Sequence, residues 1–216
     1  MRILIFAPHN DDEVLGAGGT LAKYAKQGHD VIVCEVTSGI DTENIQAEAR
    51  AAHRVIGIKD TIFLNLPVVE LKEYPAKELN RAIQQVVNDI KPDITFIPNK
   101  GDLHGDHSEV AKSAMVALRP HINSQLKAIY AYETLSETEW GIPTQDNLFI
   151  PNVWNDITDF ISVKLEAMRC YKSQLMEFPH PRSLIAIEAL SQIRGSTICV
   201  KHAECFMLIR GCMPNE

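Results

Sequence analysis

Short apolar runs alternate with longer stretches of helical spacing over the first half of the chain. The apolar runs cover residues 2–6, 30–37, 61–66 and 94–97. Between them, residues 15–27, 43–56 and 76–90 carry apolar side chains at helical spacing. Each connection is long enough for the flanking strands to pair in parallel. The alternation therefore predicts an α/β protein with a doubly wound sheet.

The second half continues the pattern less regularly. It predicts helices over 108–118, 157–171 and 183–193, strands over 126–132 and 203–210, and a loop over 133–151. We find no internal repeat and no low-complexity linker, so we expect one domain over 1–216. The expected fold class is a Rossmann-like, doubly wound, mostly parallel sheet with helices on both faces.

The composition limits the classes of partner and the cellular compartment that we expect for this protein. The 28 acidic residues exceed the 21 basic ones, which gives a formal net charge of -7 and argues against a nucleic-acid partner. No apolar stretch approaches the length of a membrane span. The five cysteines form no C-x-x-C pair, which favours a reducing compartment, so we expect a cytoplasmic protein.

Two polar clusters follow predicted strands. His9, Asp11 and Asp12 come after the first strand, and His104, Asp106 and His107 come after the fourth. In a doubly wound sheet these two strands are commonly neighbours, so the clusters would face each other across one crevice. Imidazoles and carboxylates suit a cation such as Zn²⁺, and spare carboxylates supply the acid and base that hydrolysis needs. The sequence thus predicts a metal-dependent hydrolase.

A glycine-rich stretch, Gly16-Ala17-Gly18-Gly19, opens the first helix. A dinucleotide fingerprint would place its glycines directly after the strand, but here acidic residues intervene. Those acids would repel a pyrophosphate, and no phosphate-binding lysine follows. We therefore interpret the glycines as a site of close helix–sheet packing.

The stretches Ala7-Pro8-His9-Asn10-Asp11-Asp12-Glu13-Val14-Leu15-Gly16 and Leu103-His104-Gly105-Asp106-His107 resemble the two signatures of the PIG-L/LmbE-like deacetylases. These are zinc-dependent enzymes that remove acetyl groups from amino sugars of the N-acetylglucosamine type. The segments around Glu48 and after Arg194 resemble further parts of the family. The resemblance extends over most of the chain.

The resemblance implies a role for each matched position. It makes His9, Asp12 and His107 the metal ligands, with Zn²⁺ or Fe²⁺ as the cofactor. It makes Asp11 the general base that deprotonates the metal-bound water. His104, held and charged by Asp106, would stabilise the oxyanion or protonate the leaving amine.

The chain departs from the family pattern at four positions. Asn10 and Gly105 stand where proline is usual, and Ile45 stands where an arginine is often found. His202 stands where many relatives carry a tyrosine, so we expect it to contact substrate.

The other histidines, which are His29, His53, His121 and His180, lie at predicted helix ends or in turns and are expected at the surface. The expected partner is a small N-acetylated sugar or glycoconjugate, and the oligomeric state stays open. Three alternatives remain: a metal-dependent esterase or phosphoesterase, a catalytically silent binding protein of the same fold, and a nucleotide binder that uses the glycines.

Overall fold

The computed structural model describes residues 1–39 and 41–212. The elements follow the chain as β1 (Arg2–Ala7), α1 (Asp12–Lys26), β2 (Asp30–Ser38), α2 (Thr42–Ile56), β3 (Asp60–Pro67), α3 (Ala76–Ile90), β4 (Ile94–Pro98), α4 (Gly105–Ala117), β5 (Ala128–Tyr132), β6 (Val153–Asp156), α5 (Ile161–Cys170), α6 (Leu184–Ser196) and β7 (Ala203–Gly211). Within the described residues, no helix has both the length and the apolar character needed to cross a bilayer.

The strands form one sheet in the order β3-β2-β1-β4-β5-β7-β6. Strands β3, β2, β1, β4 and β5 pair in parallel, and β7 runs antiparallel to both β5 and β6. Because β1 pairs with β2 on one side and with β4 on the other, the strand order reverses at β1, which is where open α/β sheets place their ligands. The predicted fold class is confirmed.

Alternate side chains of β1 enter two separate cores. Ile3 and Ile5 belong to one core, together with residues of α1, α2 and α5. Leu4 and Phe6 belong to the other, together with residues of α3 and α4. A strand covered on both faces must be apolar at every position, which explains the unbroken run in the sequence.

The glycine-rich stretch brings α1 close to its neighbours. A Cβ at Gly16 would overlap the ring of Tyr132, and one at Gly19 would lie 2.8 Å from the Cδ1 atom of Ile157. The Tyr132 hydroxyl donates a hydrogen bond to the Phe6 carbonyl at 2.8 Å, which fixes the ring in that position. The glycines therefore serve packing, as the sequence predicts.

Two helices begin earlier than predicted, and one strand was missed. Helix α1 begins at Asp12 rather than Leu15, and α4 begins at Gly105 rather than Ser108. Acidic side chains are favourable in a first helical turn because they face the positive end of the helix dipole, so the polar clusters extend the helices instead of preceding them. Strand β6 is a half-exposed edge strand of only four residues, too short to show a clear alternation.

Candidate metal centre and active site

The two polar clusters meet at the carboxyl edge of the sheet. His9 lies directly after β1, Asp12 lies in the first turn of α1, and His107 lies in the first turn of α4. Pairing of β1 with β4 brings the two loops together. The topology thus joins residues that are 98 positions apart in the chain.

Three ligand-type atoms converge on one point. The Asp12 Oδ2 atom lies 3.2 Å from His9 Nδ1 and 3.1 Å from His107 Nε2. The two histidine nitrogens lie 3.3 Å apart. Tetrahedral coordination at about 2.1 Å would separate its ligands by about 3.4 Å. The donor set and its spacing therefore fit a zinc-like ion held by His9, Asp12 and His107.

The same three residues attract positive charge. Burial disfavours a charged imidazole, but the Asp106 and Asp12 carboxylates outweigh it and raise the pKa of His9 to about 9. Asp12 and Asp102 likewise overcome burial and raise the pKa of His107 to about 10. Protons and metal ions compete for such nitrogens, so a cation of either kind satisfies the cluster.

Two further carboxylates orient the histidines. Asp102 Oδ2 lies 2.8 Å from His107 Nδ1, the ring nitrogen that faces away from the cluster. Asp106 Oδ2 lies 3.2 Å from His9 Nε2. Metal-binding histidines commonly donate their second N–H to a carboxylate, which fixes the tautomer and ring orientation. Asp102 was not singled out from the sequence, although it precedes His104 in the same loop.

The Asp106 carboxylate lies near His104, but its shorter contacts are with other groups. The Asp106 carboxylate accepts the backbone N–H groups of Val69 at 2.7 Å and Leu71 at 3.1 Å, besides contacting His9. It comes no closer than 3.8 Å to His104 Nδ1, which instead accepts the Asp106 backbone N–H at 3.2 Å.

Asp106 favours the charged form of His104, but other influences outweigh it. Burial, followed by the neighbouring His9, lowers the pKa of His104 below its ordinary value, whereas the prediction required a raised one. Because Nδ1 accepts a hydrogen bond, the proton of the neutral ring lies on Nε2. His104 therefore lines the site as a neutral donor.

Asp11 occupies a strained position at the start of α1. Its backbone has a φ of 128°, a conformation that L-residues rarely adopt. The side chain is fully buried, with Oδ2 3.2 Å from Arg182 Nη1 and with no protein partner for Oδ1. Burial raises the pKa of Asp11 to about 8, although Arg182 opposes the rise.

Arg182 is the main site residue that sequence reasoning missed. Its Nε donates to Ser136 Oγ at 2.8 Å, and its Nη1 donates to Gln174 Oε1 at 3.2 Å as well as to Asp11. Its Nη2 lies 3.5 Å from Glu137 Oε1. The residue follows a Pro-His-Pro turn with no local pattern that marks it, so only the fold reveals it.

A cleft of about 270 Å³ opens beside these groups. It is lined by His9, Asn10, Thr37, Gly39, Ile45, Val68, His104, Glu137, Gln174 and Arg182. The Asn10 amide nitrogen is buried there without a hydrogen-bond partner in the protein. The cleft thus combines one of the candidate metal ligands, His9, with one guanidinium and with free hydrogen-bonding groups.

His202 lies outside this cleft. It precedes β7, where its Nδ1 lies 2.8 Å from Ser191 Oγ on α6 and its backbone N–H donates to Thr158 Oγ1. The structure does not bring His202 to the other site residues, because its ring is held against α6. The prediction that it contacts substrate receives no support from this geometry.

His53 is buried, whereas the sequence predicts it at the surface. Its Nε2 lies 3.1 Å from Glu13 Oε1 and 3.5 Å from Glu35 Oε1, and its Nδ1 lies 2.7 Å from Thr61 Oγ1. The Tyr171 hydroxyl donates to Glu13 at 2.7 Å. Burial opposes the charge on His53, but the two glutamates raise its pKa to about 9. The ring thus balances carboxylates packed behind the active site.

The fold and the His–Asp–His cluster fit a metal-dependent enzyme of the α/β class. Residues 4–118 match the family model PIG-L, described as GlcNAc-PI de-N-acetylase. The chain belongs to this family, which confirms the resemblance read from the two motifs.

Individual relatives agree with the assignment. The chain is 28% identical over 181 residues to the uncharacterized deacetylase YaiS of Escherichia coli, covering 79% of this chain and 90% of YaiS. It is 26% identical over 197 residues to a diacetylchitobiose deacetylase of Thermococcus kodakarensis, covering 82% and 71% of the two chains. The crystal structure of protein TT1542 from Thermus thermophilus superposes with a TM-score of 0.80 at 25% identity, covering 99% and 96%.

Proposed function

We propose that this protein is a metal-dependent deacetylase that hydrolyses the N-acetyl group of an amino sugar or a small glycoconjugate. The observation that carries the proposal is the convergence of His9, Asp12 and His107 on one point. The buried Asp11 carboxylate, next to Asp12 in the chain, keeps one oxygen free of protein partners. Membership of the PIG-L family and relatives named as deacetylases support the same reaction.

His9, Asp12 and His107 would hold the metal, and we propose zinc, with ferrous iron as the alternative. When bound, such an ion supplies Lewis acidity, which acidifies water and polarises the amide carbonyl. Asp102 and Asp106 keep the two histidine rings turned toward the ion.

Asp11 acts as the general base. Its Oδ2 is held by Arg182, so Oδ1 is the oxygen that takes a proton from the attacking water. The water oxygen would bond to the acyl carbon, the proton taken by Asp11 would pass to the leaving nitrogen directly or by way of His104, and the C–N bond would break to release acetate and the amine. The strained backbone of Asp11 fixes the direction of the carboxylate before substrate arrives.

His104, which lines the cleft, acts on the reacting carbonyl. The neutral ring presents its Nε2 proton as a hydrogen bond to the negative oxygen that develops during attack, or transfers it to the leaving amine. The first role fits the lowered pKa of His104 directly, because a neutral histidine is a donor without being a strong acid.

An amine-release assay tests the reaction. Purified protein is incubated with a panel of N-acetylated sugars and conjugates, with and without a chelator, and free amine is measured. We expect release that the chelator abolishes and added Zn²⁺ or Fe²⁺ restores. Release of phosphate from phosphoesters, with no amine from any acetylated compound, would instead support the phosphoesterase alternative.

Asp11→Asn tests the base. The variant keeps the size of the side chain and should retain wild-type metal content while its turnover number falls by at least about 100-fold. Full activity in this variant would show that Asp11 is not the base.

His107→Ala tests the metal site, because it removes one of three ligands. We expect the purified variant to lose its metal in elemental analysis. His121→Ala, at an exposed position, is the matched control and should keep wild-type metal content. A normal metal content in His107→Ala would refute the ligand assignment.

A further inference from the structure

Asp11 stands at the N-cap of α1, but its side chain does not cap the helix. An aspartate in this position ordinarily has an extended backbone, and its carboxylate accepts an N–H of the first helical turn. Here the backbone angles are φ 128° and ψ -22°, and the carboxylate contacts Arg182 instead. The conformation that presents Asp11 as a base therefore competes with an unstrained conformation in which the same carboxylate caps α1.

Glu13 accepts a hydrogen bond from the strained backbone of Asp11. The Asp11 N–H donates to Glu13 Oε2 at 3.2 Å, and we find no second acceptor for it within the described part of the chain. The glutamate of a capping box reaches back to the N-cap in the same way, from the third helical residue instead of the second. This bond ties the N-cap to the helix through the Asp11 backbone, so the Asp11 carboxylate is not needed for capping.

The Glu13 carboxylate is itself held by two rings. The Tyr171 hydroxyl donates to Glu13 Oε1 at 2.7 Å, and His53 Nε2 lies 3.1 Å from the same oxygen. All three side chains are buried. Because both rings contact Oε1, the other oxygen stays directed at Asp11. The position of Glu13 is thus set by α2 and by the residue that follows α5, which pack against α1 in one core.

We propose that Glu13 is a positioning residue for the hydrolysis. With Tyr171 and His53 behind it, Glu13 holds Asp11 in the backbone conformation that keeps the Asp11 carboxylate off the helix and free to act as base. Glu13 is not among the described residues that line the cleft, so it acts through Asp11 and not on substrate. This inference rests on the proposed deacetylase function and adds the residues that orient its base.

Two substitutions of equal length separate the acceptor from the volume of the side chain. Glu13→Met removes the acceptor, so Asp11 can relax and cap α1. We expect it to keep wild-type metal content and a KM within about threefold of wild type, while kcat falls at least about 30-fold. Glu13→Gln keeps one acceptor oxygen and should recover at least about threefold of that loss. Glu166→Gln removes an exposed carboxylate on α5 and is the matched control, with unchanged kcat.

Tyr171→Phe tests the support behind Glu13 without changing Glu13 itself. The substitution removes the hydroxyl that holds Oε1 but keeps the buried ring. We expect kcat to fall at least about threefold at unchanged KM and metal content. This variant also carries the test if Glu13→Met does not fold.

Crystal structures of the metal-loaded wild type and Glu13→Met test the positioning independently of turnover. In the variant we expect a negative φ at Asp11 and a carboxylate that accepts an N–H of the first turn of α1. The proposal is overturned if Asp11 keeps its positive φ in this variant, or if Glu13→Met or Tyr171→Phe retains wild-type kcat. Failure of the deacetylase proposal has a different signature, which is absence of amine release by the wild type; the conformation of Asp11 in the two structures then still decides the role of Glu13.

Discussion

The buried His53 predicts a specific dependence of stability on pH. In the folded protein Glu13 and Glu35 surround the ring and raise its pKa from 6.5 to about 9. A raised pKa means that the folded state binds the proton more tightly than the unfolded state does. The resulting stabilisation is complete below pH 6.5 and is lost as the pH rises through about 9.

The size of this effect follows from the shift. One pKa unit corresponds to about 1.4 kcal/mol, so the charged ring contributes on the order of 3 kcal/mol below pH 6.5. Solvent screens this interaction only weakly, because the His53 and Glu13 side chains are only 4% and 0% exposed. His53→Gln should therefore lower the free energy of unfolding by on the order of 3 kcal/mol at pH 6.

The assay is urea unfolding of the wild type and His53→Gln at pH 6, 7.5, 9 and 10, at equal metal saturation. The difference between the two proteins should shrink as the pH rises, because the wild-type ring loses its proton. His121→Gln, at an exposed position, should show almost no difference from the wild type at any pH. A His53→Gln difference that stays constant from pH 6 to 10 would refute the charged state of His53.

Two other substitutions test the packing and orientation of the site. Asp102→Asn removes the carboxylate that holds His107 Nδ1 and should weaken metal affinity by about 10- to 100-fold, as measured by chelator competition; unchanged affinity would show that the carboxylate has no such role. Gly16→Ala should cost about 1–3 kcal/mol of unfolding free energy because its Cβ overlaps Tyr132, whereas Gly105→Ala meets nothing within 4 Å and should cost almost nothing. Equal stability of the two glycine variants would contradict the packing.

The convergence of His9, Asp12 and His107 could be predicted because these residues come soon after strands. Strand order follows from general rules of doubly wound sheets, so two motifs at the ends of β1 and β4 are enough to place His9 and His107 together. Local sequence therefore contained most of the information about the proposed metal ligands.

The rest of the site depends on contacts that no local pattern encodes. Arg182 reaches Asp11 from 171 residues away, and His53 finds Glu13 40 residues away. His104 illustrates a different difficulty. Asp106 lies only two residues from His104, so the sequence suggests that the two side chains pair. In the structure the Asp106 carboxylate instead points toward His9 and the amides of Val69 and Leu71, and only the Asp106 backbone N–H donates to His104.

Two parts of the chain contribute to the candidate site, and Arg182 belongs to the later part. The match to the family model ends at residue 118 and includes the proposed metal ligands, whereas Glu137, Gln174 and Arg182 come from the chain beyond it. Substitutions after residue 118 can thus change the part of the cleft that these three residues line, while the proposed metal ligands stay unchanged. Such an arrangement lets one hydrolytic centre acquire new substrates in evolution through changes that leave its ligands in place.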